Sequence, residues 1–216
     1  MTALTLEPAA ETALHHDTHA VAHGGEHEHE HEHDVPGMNR LGLLFFMASE
    51  TMLFLAMAAA RFYLAGTFKP EELSMGLGLA LTAILLVSSF AGYRGVAAIS
   101  RGDRPKFVLW IAVAIVLGVI FTGMVVGVEW PAAAHEFPLT SEDPQVRAYS
   151  TAFYAMTGLH VFHLLQGLLA MGLLFWLAIR GHFGPGDHWG ATGVVRFWTF
   201  VDIMWLVIVF PVLYIL

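Results

Sequence analysis

YSTAFYAMTGLHVFHLLQGLLA, residues 149–170, and RFWTFVDIMWLVIVF, residues 196–210, are both apolar enough for lipid, yet the first carries His160 and His163 and the second Asp202. A fourth ionisable residue, Glu50, lies in RLGLLFFMASETMLFLAMAAARFYL, residues 40–64. Such side chains are costly in hydrocarbon, so each is a candidate for function or for helix assembly. The surrounding sequence sets the class. With 216 residues, 56% hydrophobic and only 13% charged, the chain is too apolar for an ordinary soluble domain. A bilayer needs about 20 apolar residues per helix, and runs of that kind read as 41–65, 73–98, 107–128, 149–178 and 194–215. The expected fold is all-α, an integral membrane bundle of five transmembrane helices. The fourth is long enough to tilt or project, and Pro211 is placed to kink the fifth.

The net charge of −8 is localised. Residues 1–34 hold eight acids and no Lys or Arg, whereas the rest of the chain balances ten acids with ten bases. No basic, then apolar, leader opens the sequence, so neither a signal peptide nor a transit sequence is expected. Residues 1–37 read as a disordered, His/Glu-rich cytoplasmic tail preceding a transmembrane domain over 38–216, because HEHEHEHD and its flanks bury too little apolar surface to fold. A solvated, pH-sensitive tail is one reading. Loose binding of zinc, copper or nickel by His27, His29, His31 and His33 is the other.

Lys and Arg in short loops set orientation. With the N-terminus cytoplasmic, Arg40, Arg94, Arg101, Arg104, Lys106, Arg180 and Arg196 lie inside, and Arg61, Lys69 and Arg147 lie outside. This split predicts the N-terminus in and the C-terminus out. The stretch EWPAAAHEFPLTSEDPQVRAY, residues 129–149, then reads as a long outer loop suited to a cap or a docking surface.

Glu50 follows Arg40 by ten residues, about 15 Å along a helix. It either stays protonated in an interhelical hydrogen bond or exchanges protons. His160 and His163 share one helix face, at depths of roughly 16 and 21 Å from Tyr149, which allows one of them to meet Glu50. The pair reads as a hydrogen-bonded helix contact or as two ligands of an incomplete metal site. Gly158 and Gly167 flank it as candidate packing residues. Asp202, near Trp198 and Trp205, either holds helix packing or stands near a proton entrance. Glu129, His135, Glu136, His182 and His188 fall at interfaces and receive no role.

The absence of cysteine removes disulfides, thiolate zinc, CxxCH haem attachment and Cys-based binuclear copper. Two intramembrane histidines are too few for a haem-copper centre. There is no phosphate-binding glycine loop, no HExxH and no Ser/His/Asp set on loops. The chain is not expected to carry catalytic centres, and no nucleic-acid partner is expected.

These residues resemble a known family, subunit III of the haem-copper terminal oxidases. STAFYAMTGLHVFHLLQG is similar to the family's Tyr-Gly-Ser-Thr-Phe-Phe run, Gly-(Phe/Thr)-His-Gly-Leu-His segment and closing Gly, with Gly158, His160, His163 and Gly167 in the corresponding places. FWTFVDIMWL resembles Tyr-Trp-His-Phe-Val-Asp-Val-Val-Trp, matched by Trp198, Phe200, Val201, Asp202 and Trp205. FFMASETMLF resembles the segment bearing the family's intramembrane glutamate, matched by Ser49 and Glu50, and LGVIFTGMVVGVEW is similar to a stretch matched by Phe121, Glu129 and Trp130. Thr199 replaces the family's histidine, Thr192 stands where many members have glutamate, and Val125 and Val126 occupy the neighbourhood of its glutamine. The likeness covers 38–216 and fits the family's five-span branch.

The resemblance implies a non-redox subunit of a cytochrome c oxidase in a bacterial cell membrane, supporting stability and proton uptake of the catalytic subunit. It implies subunits I and II as partners, haem and copper held in them, and membrane phospholipid as a further ligand. Glu50, His160, His163 and Asp202 would be proton-related or interhelical polar contacts, with Gly158, Gly167, Trp198 and Trp205 in helix packing. The alternatives are subunit III of a ubiquinol oxidase or a nitric oxide reductase-associated homologue, and a metal-ion transporter with a His-rich tail. A transporter is expected to show repeats and broken helices meeting at the midplane.

Overall fold

A computed structural model describes residues 35–70, 74–186 and 188–216. It contains five long helices: α1 (Val35–Ala65), α2 (Met75–Ile99), α3 (Arg104–Glu136), α4 (Pro144–Ile179) and α5 (Trp189–Ile215). Each is long and apolar enough to cross a membrane, and no strand occurs among the described residues. The protein is an all-α, multi-pass membrane bundle.

The helix starts follow from local chemistry. Ser74, Asp103 and Asp143 cap α2, α3 and α4, their side-chain oxygens accepting the backbone N–H of Leu77, Lys106 and Gln145. Pro105 and Pro144 stand in the first turns of α3 and α4, where a missing N–H costs nothing. Lys106 also bonds the Asp103 carboxylate through its Nζ at 2.6 Å, which holds that carboxyl below its ordinary pKa. Gly102, at φ +81°, turns the chain tightly between α2 and α3.

α2 and α3 form a close hairpin. α4 packs on α1, α3 and α5, and α5 also contacts α2 and α1. α5 is therefore the most enclosed helix, with 67% of its best membrane window buried against 11% for α1. Trp198 of α5 is the central wedge. A methyl on Gly118 or Gly167 would come within 2.5 and 2.7 Å of its ring, so only glycine lets α3 and α4 close on the indole.

One feature corrects the sequence expectation. Residues 129–136 are not loop: α3 runs through them, leaving 137–143 as the connection to α4. Pro131 and Pro211 do not break their helices, because each is preceded by a π turn. Trp130 N–H donates to Val125 O, and Phe210 N–H donates to Trp205 O, both five residues back. The widened turn makes room for the proline ring, which would otherwise press on the preceding turn's carbonyl. α5 continues beyond Pro211 in a second π turn to Ile215.

Candidate functional site

The four intramembrane ionisable residues fall into two separate arrangements and one isolated ring. His163 of α4 stands with Nε2 at 2.9 Å from Glu50 Oε2 of α1. Its Nδ1 lies 2.8 Å from Leu159 O. A carbonyl only accepts, so Nδ1 carries a hydrogen and donates. Nε2 then has its lone pair when the ring is neutral, and a carboxylate has no hydrogen to offer it. One further proton must sit between Glu50 and His163, on the oxygen or on the nitrogen, and the pair is electrically neutral overall either way. His163 is buried while the Glu50 side chain remains 21% exposed, so this shared proton lies at the rim of the bundle. Phe54 and Phe162 pack against the imidazole.

His160, one turn away, does not join them. Its ring is fully buried among Phe54, Phe121 and Trp205, with the Trp205 centroid at 5.0 Å, and neither nitrogen has a hydrogen-bond partner.

The second arrangement ties α5 to α2. Ser89 Oγ donates to Asp202 Oδ2 at 2.6 Å, Trp198 Nε1 donates to Ser88 Oγ at 3.0 Å, and Trp205 Nε1 donates to Thr82 Oγ1 at 3.0 Å. Each hydroxyl that accepts also passes a bond on. Ser88 donates to Ala114 O of α3, and Thr82 donates to Gly78 O. Three hydroxyls on α2 thus meet three polar groups on α5, a ladder closed to solvent: Asp202 is 4% exposed. The ion pairs among the described residues are Lys106–Asp103 and His163–Glu50, so Asp202 is held by a hydroxyl rather than a cation.

A third polar region, unread in the sequence, occupies the far end of α1. Arg61 is fully buried, its guanidinium donating to Gly66 O and to Phe68 O and lying 5.2 Å from the Tyr149 ring centroid. Tyr149 Oη donates to Leu213 O at 2.8 Å, and Lys69 Nζ donates to Tyr214 O at 3.0 Å. These side chains satisfy carbonyls that the end of α5 leaves without helical partners. Glu129, expected at an interface, is instead 3% exposed with both oxygens unpartnered.

A methyl on Gly158 would meet nothing of this chain within 4 Å, whereas Gly118 and Gly167 both close on the Trp198 ring. No group of three or more His, Cys, Asp or Glu side chains is arranged to hold a metal among the described residues. His27, His29, His31 and His33 lie outside those residues.

A family model described as cytochrome c oxidase subunit III matches residues 12–216. The chain belongs to that family. Among its curated relatives, cytochrome c oxidase subunit 3 of Thermostichus vulcanus is 32% identical over 203 residues, covering 91% of this chain and 92% of the relative. A probable cytochrome c oxidase subunit 3 of Nocardia farcinica is 32% identical over 79% of this chain and 85% of its own length. Cytochrome c oxidase subunit 3 of Synechocystis is 29% identical over 95% and 87%. As a subunit III of the haem-copper oxidases, the chain is a multi-pass membrane component of a respiratory oxidase complex containing other subunits. The segments on which the resemblance rests hold both arrangements: Glu50 and His163 form the pair between α1 and α4, and Asp202, Trp198 and Trp205 form the ladder to α2.

Proposed function

We propose that this subunit III is a non-redox partner of oxidase subunits I and II, which hold the haem and copper, and that it steadies the catalytic subunit and assists its proton uptake. The observation that carries this reading is the Glu50–His163 contact, a place for one shared proton at the bundle rim on an α1 face that also exposes Phe46 and Leu53. A proton held there is screened from bulk water and within reach of a neighbouring subunit. Asp202 and His160 have the opposite setting, enclosed by aromatic rings and hydroxyls, and act in helix cohesion. Membrane phospholipid occupies part of the exposed apolar surface. Residues 1–37 form a cytoplasmic tail, whose last three residues already open α1, ahead of the transmembrane domain of 38–216, with the N-terminus on the inner side of a bacterial cell membrane. Arg40, Arg94, Arg101, Arg104, Lys106, Arg180 and Arg196 support that orientation.

Gentle purification of the tagged chain, followed by a reduced-minus-oxidised optical spectrum, tests the role. Haem bands are expected with co-purifying larger subunits, and are expected to stay with them when the tagged chain is stripped away. Haem retained by the separated chain would overturn the non-redox assignment.

A further inference from the structure

The Glu129 region contains unpaired polar groups that the Glu50–His163 reading does not use. Glu129 closes the π turn of α3. Buried positions along α3 recur as Phe107, Ile111, Ala114, Gly118, Phe121, Val125, Glu129 and Ala133. Their spacing settles at four residues where the turn widens, which keeps Glu129 on the inward stripe. The carboxylate borders a cavity of about 40 Å³ lined by Ser74, Glu136, Phe137 and Tyr214 among others. Both Glu129 oxygens and the Tyr214 hydroxyl are buried without a hydrogen-bond partner. Two such groups on the lining of one small cavity point to a ligand, since buried polar atoms are otherwise satisfied by protein or water. The volume suits one or two waters.

We propose that this cavity is a hydrated proton-exchange site: water bridges the Glu129 carboxyl and the Tyr214 hydroxyl, and Glu129 reversibly takes a proton through the mouth at Ser74 and Glu136. In the uptake step hydronium gives one proton to a Glu129 oxygen and leaves water, and release is the reverse. The surroundings favour this over a metal cation. A hard cation takes about six or more oxygens, whereas the buried, unpartnered oxygens of the lining are three, two on Glu129 and one on Tyr214, with Ser74 and Glu136 exposed at the mouth. Lys69 already brings positive charge to Tyr214, through its carbonyl, and Arg61 does so beside Tyr149. The titratable and charged groups around Glu129 are thus Glu136 on its own helix, Tyr149 on α4, Tyr214 on α5, and Arg61 and Lys69 at the end of α1 and in the connection after it. This site and the Glu50–His163 pair sit on different helices and are separable by mutation.

Infrared difference spectra of the purified oxidase complex, recorded between a high and a low pH, test the proposal. The expected result is a carboxylic C=O band that appears at low pH and shifts in D₂O. It should be lost in Glu129→Gln, change frequency in Tyr214→Phe, and persist in Glu50→Gln. Two results would overturn the site: a Glu129-dependent band that is present at every pH, or no band lost in Glu129→Gln. Loss of the band on adding Ca²⁺ or Na⁺ at fixed low pH would replace proton exchange by cation binding. Tyr214→Phe removes only an unpartnered hydroxyl, so if Glu129→Gln fails to assemble, an unchanged Tyr214→Phe difference spectrum overturns the proposal by itself.

Discussion

α1 and α5 each carry one acid inside the membrane span, and their settings are opposite. Glu50 sits on the helix with the most exposed surface and meets the His163 imidazole at the rim. Asp202 sits on the most enclosed helix, is met by the Ser89 hydroxyl, and is flanked at 198 and 205 by tryptophans whose indole N–H groups bond the same neighbouring helix. An ionisable residue at membrane depth is therefore not one kind of signal. On the proposed reading, what separates a proton-handling group from helix cohesion is its access and the capacity of its partner to hold a proton: Ser89 offers Asp202 a hydroxyl, whereas His163 offers Glu50 an imidazole.

The comparison is sharpest where α5 is cut. Trp198→Ala removes the wedge between Gly118 and Gly167 and should cost about 3–5 kcal/mol, read as loss of the subunit from the complex or a collapse of its thermal midpoint. Phe45→Ala on the exposed side of α1 should leave the isolated subunit's midpoint unchanged. Gly118→Ala forces a methyl to within 2.5 Å of the Trp198 ring and should destabilise by about 1–3 kcal/mol, whereas Gly158→Ala, facing open space, should stay within about 0.5 kcal/mol. If both glycines respond alike in a thermal melt, the wedge account is wrong.

Asp202→Ala leaves the Ser89 hydroxyl only the 3.4 Å contact to Thr199 Oγ1 and should cost about 1 kcal/mol or somewhat more, with Asp202→Asn recovering most of it. Glu50→Gln is the converse test. A glutamine still bonds His163 Nε2, so the melting change should stay near the ~0.6 kcal/mol average of membrane hydrogen bonds, while proton handling is lost.

The smallest effect belongs to Asp103 at the start of α3. Lys106 holds its carboxyl below the ordinary value of 3.8. The folded form thus binds that proton more weakly than the unfolded chain, so the cap's contribution is present above the unfolded value and disappears as pH falls through the lower folded one. Asp103→Asn should remove a pH dependence of stability confined to the range below about pH 4, checked by melts across acidic buffers.

Much of this was legible in the sequence, for physical reasons that also mark where legibility ends. Hydrophobic run lengths yield five spans because a bilayer fixes helix length. Glu50 and His163 lie at matching depths because rise per residue is constant. Distance along a helix does not say which of His160 and His163 faces Glu50, and only packing decides that His160 is ringed by Phe54, Phe121 and Trp205. Glu129 read as the start of a loop because the apolar run ends at 128. The widened turn that absorbs the proline leaves no composition signal, although the buried spacing from Phe107 through Val125 continues to 129. Arg61 read as an outer-flank charge, since the carbonyls of Gly66 and Phe68 that hold it exist only once the connection to α2 has folded. Gly158 drew notice beside the histidines while Gly118, in an unremarkable apolar run, carries the contact.

The most direct test of the central claim is proton uptake during a single turnover of the purified complex, comparing the parent chain with Glu50→Gln at equal haem content. The shared-proton account predicts slower uptake and a changed pH profile in Glu50→Gln, with haem spectrum and subunit composition intact. Identical uptake rates and pH profiles would contradict it and reduce Glu50–His163 to a helix contact like the one at Asp202.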